Sequence, residues 1–80
     1  MSNTLRCLGS LCDGECGNVV SIEAHGELGR RIRSMGLVVG MNVTVMGRAP
    51  MRDPLTLRFA NTSVALRRNE ANAIFVSSNT

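Results

Sequence analysis

The sequence predicts a mainly β domain, a small, partly open barrel of about five to six short strands, with one amphipathic helix near residues 26–35 and a short helical turn near 69–73. Three observations predict it. Leu55, Leu57 and Phe59 alternate with Thr56, Arg58 and Ala60, and after Asn61 and Thr62 the alternation resumes with Val64 and Leu66, the period-two pattern of a hairpin with one face inward. Leu28, Ile32 and Met35 fall at i, i+4 and i+7, a single apolar stripe on a helix. The chain has 80 residues, room for one small core and no second domain, and short strands in so small a unit must curl to hide their edges.

Taken in order, residues 1–4 read as a tail, and 5–8 as a short first strand or the lead into a turn at Gly9. Asp13-Gly14 is a turn signal, and 17–23, rich in β-branched residues, follows as a strand. The central helix comes next. Glu27 lies at its positive end and spaces with Arg31 as an i,i+4 pair, but such terms contribute only about 0.2–1 kcal/mol, so burial of the stripe decides whether the helix forms.

Gly36 stops the helix by turning left-handed without a Cβ clash, which makes Ile32 and Leu37 the apolar pair that accompanies such a cap. Residues 42–48 then read as a strand with Val43 and Val45 on one face. Pro50 and Pro54 remove two ladder donors, so 49–54 is an exposed loop. Asn69 is placed to cap a single helical turn with Glu70 in its first turn, and 74–76 closes the domain as a last strand before a polar tail at 77–80. The folded domain is therefore expected to span 5–76.

Composition narrows the function. The longest mostly apolar run, 35–45, contains Asn42 and Thr44 and is too short and polar to span a bilayer. The opening residues carry no basic region followed by a long apolar core, so a cytoplasmic location is expected. All nine basic residues are arginine, which suits an acidic or phosphate-bearing partner, although solvated surface arginines need no partner. With two Phe and no Trp or Tyr, the stacking platform of single-strand nucleic-acid binders is missing.

Cys7, Cys12, Cys16 and His25 are the candidate metal set, for iron or zinc. Their spacing lacks the tight C-x2-C knuckle of structural zinc sites, and an odd number of cysteines in a cytoplasmic chain reads better as reduced thiols. No resident cofactor is therefore expected. No nucleophile elbow, HExxH, phosphate-cradling GxxxxGK or close carboxylate pair is present, which argues against an enzyme.

The run 31–37 (RIRSMGL), Gly40, the run 49–54 (APMRDP), Leu66-Arg67-Arg68, Glu70-Ala71 and Ile74-Phe75-Val76, in this order and spacing, resemble the FeoA family of bacterial ferrous iron uptake, a module that also closes some iron-dependent repressors. Val39 stands where the family commonly has proline, and Arg52 where it commonly has glycine. The resemblance implies an SH3-like barrel that works alongside FeoB, the membrane ferrous iron transporter with a cytosolic GTPase domain. It brings no catalytic residue with it.

On that reading Arg30, Arg33 and Arg52 meet acidic or phosphate groups of the transporter, and Leu37 and Met51 serve as apolar anchors. Rival readings are a metal-binding or metal-sensing domain, a GTPase activator supplying an arginine, and a peptide binder, for which two phenylalanines make a poor groove. Homo-oligomerisation stays open.

Overall fold

The computed structural model describes residues 5–48 and 54–78. Six strands form one antiparallel sheet: β1 (Leu5–Cys7), β2 (Cys16–Ile22), β3 (Asn42–Arg48), β4 (Leu55–Phe59), β5 (Thr62–Leu66) and β6 (Ile74–Ser78). Their order across the sheet is β1-β6-β2-β3-β4-β5. A 3-10 turn (Leu8–Ser10) follows β1, helix α1 (Gly26–Ser34) joins β2 to β3, and helix α2 (Arg68–Ala71) joins β5 to β6.

The hairpin is the one the alternation predicts. Leu55, Leu57 and Phe59 are buried while Thr56 and Arg58 are exposed, and Leu57 pairs with Val64 and Leu55 with Leu66 across to β5. Ala60 and Asn61 both adopt positive φ, 49° and 64°, in the tight turn whose twist matches that of the strands it joins.

Two bulges curl the sheet. Val20 is the extra residue of β2 between the pairs Val19–Val76 and Ser21–Phe75, and Met46 that of β3 between Val45–Leu57 and Gly47–Thr56. A bulge raises local twist and leaves its extra residue off the ladder, and both of these apolar side chains face solvent.

The core is continuous from the 3-10 turn to β6. Leu8, Ile32, Leu37, Val43, Val45, Leu57, Leu66, Ile74 and Val76 are fully buried together, and Leu28 and Met35 pack at its margin, so the helical stripe faces inward as expected. Each such aliphatic side chain contributes about 1.5–3 kcal/mol through burial. Gly17 lets β2 and β6 approach closely, since a Cβ there would lie 2.5 Å from the Ser77 carbonyl oxygen.

Two of the expected ends are corrected. Ser77 and Ser78 are strand rather than tail, because β6 lies between β1 and β2 and Ser77 pairs with Leu5 on one side and Asn18 on the other. The second helix is capped at Arg67, not Asn69, because the Glu70 carboxylate reaches back to accept from the Arg67 backbone N–H at 2.9 Å. The expected tail at 1–4 and most of the proline loop lie outside the described residues.

Candidate functional site

Helix α1 positions the arginines. Burial of Ile32 turns Arg30, Arg31 and Arg33 outward, and all three are exposed. The side chains of Arg30 and Arg33 have no ion-pair or hydrogen-bond partner among the described residues. Arg31 does. Its Nε donates to Glu70 Oε2 at 2.9 Å, so this helix is tied to α2 rather than forming the local pair with Glu27 that the spacing suggests. Arg31, Arg67, Pro54 and Ala65 line a hollow of about 270 Å³ beside this pair.

The corner after α1 supplies the apolar part. Gly36, at φ +93°, donates its N–H to the Arg33 carbonyl at 3.0 Å, the glycine cap that the sequence indicates. Leu37 is then drawn inside and is 0% exposed, so it is a core residue and not the partner-facing anchor expected of it. The residues that project are Val38 and Val39, 51% and 60% exposed. The Gly40 N–H to Val19 carbonyl bond (2.8 Å) and the Val19 N–H to Met41 carbonyl bond (2.9 Å) hold this turn against β2, beside the outward bulge residue Val20. The sequence carried a signal for them, since a cap that buries Leu37 must leave its neighbours outside. Met51 and Arg52, the other expected contacts, lie outside the described residues.

The candidate metal set does not come together as a ligand cluster. Cys7 ends β1 with its Sγ 3.9 Å from Asn72 Oδ1, Cys16 opens β2, and both are half-buried. Cys12 is exposed on the turn between them, lining a second hollow of about 830 Å³ with Asp13, Arg68 and Asn72, and His25 is exposed at the start of α1. Among the described residues no three His, Cys, Asp or Glu side chains converge as metal ligands would.

The arrangement is a small barrel offering, on α1, guanidinium groups without a partner among the described residues and a small apolar corner, features of a recognition surface. Comparison with known proteins gives it a family. The model of the FeoA domain matches residues 6–78. This chain belongs to the FeoA family.

A relative in Porphyromonas gingivalis, a fusion of Fe(2+) transport protein A with the Fe(2+) transporter FeoB, is 39% identical over 69 residues. That match covers 86% of this chain and 8% of the relative, so the chain spans a small part of the fusion's length. The FeoA-like protein from Clostridium acetobutylicum superposes with a TM-score of 0.89 at 31% identity, covering all of this chain and 92% of that one. FeoA from Stenotrophomonas maltophilia, described as a procaryotic SH3 domain protein and solved in complex with zinc, superposes at 0.74 with 30% identity and 86% coverage of each chain. The SH3-like architecture is therefore shared, and the domain is one associated with ferrous iron transport. No helix among the described residues is long and apolar enough to cross a membrane.

Proposed function

We propose that this FeoA chain is a cytoplasmic, non-enzymatic interaction module that docks on the cytosolic region of a FeoB-type ferrous iron transporter and modulates iron uptake. The observation that carries the reading is the fusion relative, in which a segment similar to this chain and a FeoB transporter share one polypeptide. Fusion raises the effective concentration of one module at the other to the millimolar range, an arrangement that suits a contact of modest affinity.

The surface that fits this role is the exposed side of α1 with the corner after it. Arg30 and Arg33 supply charge that steers encounter with an acidic partner, and Val38 and Val39 replace Leu37 as the apolar contacts. The test is a binding titration of the chain against the transporter's cytosolic region, with the double variant Arg30→Ala/Arg33→Ala beside wild type. Weaker binding that also loses its salt dependence is expected, and no binding by wild type would remove the proposal. Single-turnover GTP hydrolysis by the transporter's G domain, with and without the chain, separates docking from activation. A docking module leaves that rate unchanged.

A further inference from the structure

The geometry points to the hollow between Arg31 and Arg67 as a receptor for one carboxylate side chain of a protein partner. This rests on the docking reading above and extends its surface from α1 to Arg67, Pro54 and Ala65. Arg31 enters from α1, Arg67 from the link between β5 and α2, Pro54 from just before β4 and Ala65 from the outer side of β5.

Glu70 organises both arms. Its Oε2 accepts from Arg31 Nε at 2.9 Å and its Oε1 from the Arg67 backbone N–H at 2.9 Å. Being 2% exposed, Glu70 fixes the cleft from beneath. Arg31 is held through one of five N–H donors, which leaves terminal donors for a ligand. The Arg67 side chain has no ion-pair or hydrogen-bond partner among the described residues.

Charge decides the class of ligand. Among the described residues, two guanidinium groups and one carboxylate leave a surplus of one positive charge, the match for an Asp or Glu side chain. A phosphate group, with about −1.5 to −2 at neutral pH, would leave the cleft negative.

The experiment follows the arginine Nε–H resonances of the full, 15N-labelled chain while a capped Glu-containing peptide, or inorganic phosphate, is added. In parallel, the affinity for the transporter's cytosolic region is measured for wild type, Arg67→Gln and Arg67→Lys. Arg67 is varied because Arg31 also holds Glu70. The peptide is expected to shift Arg31 and Arg67 together, and Arg67→Gln to weaken transporter binding about tenfold while Arg67→Lys retains part of it. Shifts that persist in Arg67→Gln, absence of shifts with the peptide, or a response to phosphate alone would overturn the inference. If the peptide shifts both arginines yet wild type does not bind the transporter region, the docking reading falls and the carboxylate receptor stands.

Discussion

Arg31 Nε lies 2.9 Å from Glu70 Oε2, and this ion pair ties the long helix to the short one. Its partners are unequal, since the Arg31 side chain is 60% exposed and that of Glu70 2%. Screening at the arginine end limits the pair itself to about 1 kcal/mol or less. Glu70 also satisfies the Arg67 N–H, so its removal leaves a helix-start donor without its cap. Glu70→Gln, which keeps an acceptor for that donor, is expected to cost about 1 kcal/mol, and Glu70→Ala about 2–3 kcal/mol. Urea unfolding measures both. Equal losses would show that the ion pair, not the cap, accounts for the effect.

The elements the sequence made legible are those whose signal is local. The stripe of Leu28, Ile32 and Met35, the stop at Gly36 and the alternation of Leu55, Leu57 and Phe59 each follow from periodicity or from one backbone conformation. What stayed hidden depends on partners far along the chain. The meeting of Arg31 with Glu70 requires two helices some forty residues apart in sequence to be brought within reach of one ion pair, and the outward turn of Val20 and Met46 requires the register of neighbouring strands. Leu37 is a separate case. Its place opposite Ile32 in the glycine cap already implied burial, which is incompatible with the partner contact also expected of it.

That distinction separates two variants two residues apart. Leu37→Ala opens a cavity in the core and is expected to cost about 2–5 kcal/mol, a large fraction of what so small a domain has. Val39→Asp alters a side chain that is 60% exposed and should change stability by less than about 0.5 kcal/mol while weakening transporter binding. Thermal melts and a binding titration on both variants check this. A Val39→Asp protein that binds like wild type would take the apolar corner out of the interface.

Gly29 sets helix propensity against packing. Alanine in a helix interior is favoured over glycine by about 0.8–1 kcal/mol. A Cβ at Gly29, however, would lie 2.6 Å from the Ala24 carbonyl oxygen, a backbone atom that cannot rotate away. Overpacking of this kind costs about 1–3 kcal/mol, so Gly29→Ala is expected to destabilise by about 1 kcal/mol. Gly17→Ala meets the Ser77 carbonyl at 2.5 Å with no helix propensity to offset it, and about 2–3 kcal/mol is expected. Chemical denaturation should rank Gly17→Ala as the worse of the two, and a stabilised Gly29→Ala would mean that α1 can shift away from the residues preceding it.

The hairpin turn offers a change in the opposite direction. Ala60 at φ 49° is an L-residue with an apolar side chain in the left-handed region, a conformation that costs about 1–2 kcal/mol, whereas Asn61 at φ 64° belongs to a residue type that visits it readily. Ala60→Gly removes the Cβ clash but lets the unfolded chain gain entropy worth about 0.4–1 kcal/mol, so its net effect should be small. Ala60→Asn relieves part of the same strain without loosening the unfolded chain. It is expected to stabilise by about 0.5–1 kcal/mol and raise the melting temperature by about 2–8 °C. Asn61→Ala, which puts a second intolerant residue in the turn, should cost a similar amount. The order Ala60→Asn above wild type above Asn61→Ala in thermal melts is the expected result, and an Ala60→Asn protein no more stable than Ala60→Gly would show that the turn relaxes around Ala60 instead of straining it.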